Sequence, residues 1–140
     1  MLAFIDTNHL RELREGSPAG DRIRSRIRAT GTEVATCIVV AEEALSGWTA
    51  YIRRHRPGLA QMDGYERLSE CLQILGKLTV APFDYDSALV FHDLVKRKIR
   101  IGTMDLKIAA ICLAHDATLL SRNVVDFEKV PGLKIENWLD

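Results

Sequence analysis

The chain has 140 residues, 47% of them hydrophobic and 27% charged, with 19 Lys and Arg set against 19 Asp and Glu. Such a length suits one domain with a real core, residues 1–140, and the composition excludes a disordered or fibrous chain. The formal net charge of zero excludes a global positive field, so any contact with a nucleic acid must come from a local basic patch.

In chain order, Leu2 to Ile5 reads as a short buried strand that stops at Asp6, followed by a helical turn or two through Leu10 and Leu13 to about Gly16. Ser17 and Pro18 read as the N-cap and first position of a helix, apolar on one side and basic on the other through Arg22, Arg24, Arg26 and Arg28. Val34 to Cys37 is a second strand. A helix from Ile38 to about His55 breaks at Pro57-Gly58, and another runs from about Gln61 to Leu75 with Met62, Tyr65, Leu68, Leu72 and Leu75 at helical spacing. Leu78 to Ala81 is a third strand. Asp84 or Asp86 caps a helix reaching Lys98, with Leu89, Val90, Leu94 and Val95 on its inner side. Gly102-Thr103 opens a helix through His115 that is apolar nearly all round, which predicts burial. Ala117 to Leu120 is a fourth strand, Ser121 to Phe127 a loop or short turn, and Leu133 to Ile135 a fifth strand. Short apolar strands alternating with helices define an α/β fold with a mainly parallel sheet of four to five strands, whose ligand sites gather at the carboxyl ends of the strands.

The cysteines, Cys37, Cys71 and Cys112, are odd in number, widely spaced and without a C-x-x-C pair, so free thiols are expected rather than a disulfide or zinc site. No secretory leader is visible after Met1, and no run approaches the roughly 18 apolar residues of a membrane helix. A cytoplasmic location is expected, with no membrane contact.

Acids and amides recur where strands meet helices. Asp6 ends the first strand, as a site residue or a helix cap. Glu42 and Glu43 stand in one helical turn, about 100° apart, and spacing alone does not choose between them. Asp105 lies in the first turn of the most apolar helix, where an unpaired carboxylate is costly. Asn123 and Asp126 follow the fourth strand. Converging carboxylates repel one another unless a cation joins them, and an oxygen-only set without His or Cys favours Mg²⁺ or Mn²⁺ over zinc. Such ions suit phosphodiester hydrolysis by metal-activated water.

These segments are similar, in order and context, to the motifs of PIN-domain nucleases of the VapC toxin type. The opening FIDTNHL resembles the first motif, and TCIVVAEEALSGW the second, whose acid stands four residues before a glycine and thus falls on Glu43. IGTMDLKIAAICLAHDATLLSRN resembles the third motif with Asp105, and NVVDFEKVPGLKIENW the tail of the family, with Asn123 and Asp126 around its fourth position. The resemblance covers essentially the whole chain. It implies a PIN-domain fold and a Mg²⁺- or Mn²⁺-dependent endoribonuclease in which Asp6, Glu43, Asp105 and Asp126 are catalytic and metal-holding. Thr7, Asn8, Ser121 and Asn123 would support them. It also implies an RNA substrate, a VapB-like antitoxin partner and a homodimer. Asn123 departs from the acid that many relatives carry there.

Among the basic residues, Lys96, Arg97, Lys98 and Arg100 lead directly into Gly102 and Asp105 and are the expected contacts to RNA phosphate; Arg53, Arg54 and Arg56 read as a solvated face. His9 reads as structural. Three other readings compete. A covalent phosphohydrolase would want an acid where Asn8 stands. A receiver domain leaves the later motifs unexplained. A catalytically weak or inactive PIN-fold domain that binds RNA or protein is the third.

Overall fold

In the computed structural model, which describes residues 1–140, Leu2–Ile5 forms β1 at the centre of a five-stranded sheet. β2 (Glu33–Cys37), β3 (Val80–Ala81), β4 (Thr118–Leu120) and β5 (Lys134–Glu136) complete it in the order β3-β2-β1-β4-β5, every pairing parallel. The chain passes from β1 to β2 on one side and returns to β4 on the other. The strand order therefore reverses at β1, and a cleft at such a point opens beyond the carboxyl ends of the strands.

Seven helices link and flank the strands: α1 (Thr7–Glu12), α2 (Pro18–Thr30), α3 (Ile38–Arg53), α4 (Met62–Gly76), α5 (Tyr85–Lys96), α6 (Thr103–Ala114) and α7 (Val124–Phe127). Their ends follow local chemistry. The Ser17 hydroxyl accepts the Gly20 N–H at 3.1 Å with Pro18 in the first turn, and Gly31, at φ 66°, closes α2 in the left-handed conformation a glycine adopts without cost. Asp84, not Asp86, caps α5 by accepting the Ser87 N–H at 3.0 Å. As expected from its composition, α6 is the central helix, with Leu106 and Ile108 to Cys112 buried.

Two inner faces differ from the hydrophobic spacing. In α4 the buried residues are Gly64, Cys71 and Leu75, while Met62, Tyr65 and Leu72 are exposed. Gly64 sets this orientation, because a Cβ there would stand 2.6 Å from Ile52 Cγ1. Close approach of α4 to α3 thus uses the small residues. In α5, Leu94 is buried but Leu89 and Val95 are exposed. β3 is also shorter than the expected Leu78 to Ala81, since only Val80 and Ala81 pair with β2. Cys37, Cys71 and Cys112 are free and buried.

Candidate active site

Asp6 follows β1 without a break: its N–H donates to the Leu120 carbonyl at 2.9 Å, carrying the β1–β4 ladder one residue past the strand. The residue is only 5% exposed, yet both carboxylate oxygens are satisfied. Oδ1 accepts the Thr7 N–H at 2.8 Å, and Oδ2 accepts the Ser121 hydroxyl at 2.6 Å. Asp6 is therefore a helix cap and a member of the acid cluster at once.

Thr7 donates its hydroxyl to Glu43 Oε1 at 2.5 Å, which joins the second carboxylate to the first across α1 and α3. Glu42, one residue earlier, is exposed. This bond brings Glu43, the acid that the resemblance selects, next to Asp6 and leaves Glu42 outside. Asp105, half-buried in the first turn of α6, accepts Asn123 Nδ2 at 3.2 Å, and the same amide nitrogen reaches Asp126 Oδ2 at 3.1 Å. The Asn123 N–H in turn donates to the Ser121 hydroxyl at 3.0 Å. Glu43, Thr7, Asp6, Ser121, Asn123, Asp105 and Asp126 thus form one hydrogen-bonded string along the carboxyl edge of the sheet.

The electrostatics follow from this crowding. Burial, then the charges of Asp6, Glu43 and Asp126, push the Asp105 carboxyl up to about 6, against the opposing hydrogen bond from Asn123. Lys129 pairs with Asp126 at 3.4 Å from the exposed side. No group of three or more His, Cys, Asp or Glu side chains is gathered to hold a metal ion as the side chains stand. The donor chemistry nevertheless fits a hard divalent cation: the ligands are all oxygen, and the mutual repulsion at Asp105 is what a cation relieves. Asp6, Glu43 and Asp105 would hold it, with Asp126 and Asn123 on its outer side.

Asn8 lies beside this string but turns away from it. Its Oδ1 accepts the Arg122 N–H at 3.2 Å and meets His9 Nδ1 at 2.7 Å. His9 Nε2 accepts the Trp138 N–H at 3.0 Å, so Nδ1 carries the ring proton and donates to Asn8. Burial, reinforced by Arg122, lowers His9 to about 4 and keeps it neutral. The pair ties α1 to the loop after β4 and to the C-terminal segment, which matches the structural reading of His9. Lys96, Arg97, Lys98 and Arg100 are all exposed on the end of α5 and the turn before α6. Arg97 is paired with Asp93 at 3.5 Å.

Sequence reasoning missed a groove of about 340 Å³ between α1, α3 and α4, with Thr7 and Glu43 in its lining. Arg11, Arg14, Arg54 and Arg67 line it together with Trp48 and Tyr51. Glu43, Gly47 and Tyr51 follow at helical spacing along α3 with Arg54 just past its end; the sequence reading assigned Glu43 to the acid cluster and Arg54 to a solvated face, and did not join them.

A parallel sheet whose order reverses beside a string of carboxylates defines an α/β domain with an acidic centre at its switch point. The PIN domain family matches residues 3–133, and the chain belongs to that family. It is 33% identical over 86 residues to ribonuclease VapC1 of Rickettsia felis, covering 56% of this chain and 64% of that protein. With ribonuclease VapC2 of the same organism it shares 39% identity over 46 residues, covering 34% of that protein. The matched part is thus less than two thirds of either relative. Similarity to the tRNA(fMet)-specific endonuclease VapC of Salmonella typhimurium extends over 99% of both chains at 24% identity. Among solved structures, DNA-bound VapBC from Salmonella typhimurium superposes with a TM-score of 0.74 at 22% identity, covering 99% of each chain. VapBC2 of Rickettsia felis on a promoter DNA fragment gives 0.73 at 22% identity, again over 99% of each chain. These likenesses carry the fold.

Proposed function

We propose that this PIN-domain protein is a metal-dependent endoribonuclease of the VapC toxin type, acting as a single domain over residues 1–140. The observation that carries the reading is the string of four carboxylates at the end of β1, crowded enough to raise Asp105 to about 6. The ribonuclease names of the similar VapC proteins support it. Bound Mg²⁺ or Mn²⁺ would polarise the phosphate, offset charge on the departing oxygen and make water nucleophilic near neutral pH. The chain's own residues do the rest. Thr7 and Ser121 fix the rotamers of Glu43 and Asp6, and Asn123 holds Asp105 and Asp126 at a common distance. Lys96, Lys98 and Arg100, with Arg97, meet RNA phosphates beside Asp105 without reading sequence.

The partner in this reading is a VapB-like antitoxin, because the similar structures from Salmonella typhimurium and Rickettsia felis are VapBC complexes. No helix is long and apolar enough to cross a membrane. A cytoplasmic location belongs to the proposal, as does a homodimer. Asn123 favours a second reading, a weak or inactive PIN-fold domain that binds RNA or protein, because a carboxamide stands where a further acid would complete the cluster.

Incubating a mixed RNA pool with the antitoxin-free protein, with and without Mg²⁺ or Mn²⁺, tests the choice. Discrete cleavage that needs the cation and vanishes in Asp6→Asn is expected. Absence of cleavage by folded protein across several RNA classes would move the assignment to the binding domain.

A further inference from the structure

The segment from Ser121 to Asn123 joins β4 to α7 without regular structure of its own, yet it supplies two of the side chains that hold the acid string. The Ser121 hydroxyl donates to Asp6, and the Asn123 carboxamide bridges Asp105 and Asp126 instead of capping α7. What fixes this segment therefore fixes the centre. Its three backbone N–H groups are all answered. Ser121 donates to the Glu136 carbonyl at 3.0 Å, and Asn123 donates to the Ser121 hydroxyl at 3.0 Å. Only Arg122, between them, is answered by the side chain of another element, Asn8 Oδ1 at 3.2 Å. Because a peptide unit is planar, holding that N–H sets the plane between the Ser121 and Arg122 Cα atoms.

A carboxamide held by one donor swings about it, but Asn8 is held by two. His9 Nδ1 meets the same Oδ1 at 2.7 Å. The ring proton is on that nitrogen because Nε2 faces the Trp138 N–H, which only donates, at 3.0 Å. His9 is fully buried and Trp138 nearly so. The Trp138 indole N–H reaches Glu136 Oε1 at 3.1 Å, and its ring lies 4.4 Å from the Arg26 guanidinium. A buried imidazole with both nitrogens bonded keeps one tautomer and one orientation. Contacts thus run from the end of the chain through His9 and Asn8 to the Arg122 peptide. A second route joins the Arg122 guanidinium to Asp140 at 3.2 Å, but both side chains are more than half exposed, and so open a pair holds little.

We infer that His9 is a positioning residue of the carboxylate centre: through Asn8 it fixes the Arg122 peptide, and with it the Ser121 and Asn123 side chains that hold Asp6, Asp105 and Asp126. A histidine that only filled the core would lower stability when lost, without reaching Asn123 in particular. The effect of His9 on cation affinity rests on the metal-dependent function proposed above; its effect on Asn123 does not.

The test compares wild type, His9→Leu, His9→Gln, Asn8→Ala and the double variant of His9→Leu with Asn8→Ala, by heteronuclear NMR of the cation-free protein and by calorimetric titration of Mn²⁺. His9→Leu is expected to shift the Asn123 side-chain amide resonances and to speed exchange of the Arg122 and Asn123 N–H groups about tenfold or more. It is also expected to weaken Mn²⁺ binding about tenfold, as loss of a group that orients a metal ligand does. His9→Gln, whose amide keeps an acceptor for Trp138 and a donor for Asn8, recovers most of each. Asn8→Ala reproduces His9→Leu, and the double variant is no worse than Asn8→Ala, because the two residues act in series. Two controls leave the Asn123 resonances in place: Asp140→Asn, which opens only the exposed pair, and Ile52→Ala, a destabilising truncation of a buried residue at the far end of α3.

Unmoved Asn123 resonances in folded His9→Leu would overturn the inference. So would effects of His9 and Asn8 that add, or an equal disturbance in Ile52→Ala. If His9→Leu does not fold, Asn8→Ala decides in its place, and unmoved Asn123 resonances there would overturn the inference equally. A wild type that binds no Mn²⁺ would sink the metal reading alone, with the Asn123 resonances still deciding the role of His9. Equal Mn²⁺ affinity in wild type and a disturbed His9→Leu would sink the positioning role alone.

Discussion

At the scale of single residues, Asp105 and His9 titrate in overlapping ranges with opposite consequences. The Asp105 carboxyl rises from an ordinary 3.8 to about 6, so between those values the folded chain binds a proton that the unfolded chain releases. Its contribution to stability therefore falls as pH rises through that window. His9 falls from 6.5 to about 4, so the unfolded chain takes up a proton the folded chain excludes, and its contribution falls as pH drops. The two slopes oppose each other in the wild type. Urea midpoints of wild type and Asp105→Asn from pH 4 to pH 7 are expected to diverge, the variant gaining on the wild type as pH rises. Parallel curves would contradict the crowding at Asp105. Ser121→Ala, which strips a donor from buried Asp6, is expected to cost about 1–3 kcal/mol in the same measurement at neutral pH. At this scale the sequence showed which acids stand at strand ends, but not how they are wired. The Thr7 hydroxyl ties Glu43 to the Asp6 end of the cluster, and Asn123 bridges two carboxylates that are 21 residues apart. Neither contact leaves a spacing signal.

At the scale of elements, close helix contacts fix which faces look inward. Gly20 in α2 lies against the Glu12 carbonyl at the end of α1, so that an added Cβ would collide with backbone rather than with a yielding side chain. Gly20→Ala is expected to lower stability by about 1–3 kcal/mol despite alanine's better helix propensity, as thermal melts would show. A neutral or stabilising result would mean that α1 and α2 pack more loosely than described. The same physics explains what periodicity misread. Strand positions, caps and the burial of α6 were legible because runs of Ile, Leu and Ala and cap residues act locally. The face of α4 was not, because Gly64 and Cys71 carry little hydrophobic signal while permitting the closest approach to α3. The groove followed from that approach and was invisible for the same reason.

At the scale of the molecule, parallel strands, a reversal at β1 and a buried α6 bring four distant carboxylates to one edge while leaving apolar side chains elsewhere. Met62, Tyr65 and Leu72 of α4 are 64%, 57% and 53% exposed, a surface suited to the homodimer of the proposal. Sedimentation is expected to give a dimer mass that Met62→Glu with Tyr65→Glu reduces to a monomer; a monomeric wild type would contradict that part of the account. The central claim is that the carboxylate string exists to receive a divalent cation. Calorimetric titration of Mn²⁺ into wild type and Asp105→Asn at pH 6 tests it most directly. The account predicts saturable binding by the wild type with release of the Asp105 proton, and at least about tenfold weaker binding without that release in the variant. Equal affinity and equal proton release in both proteins would contradict it.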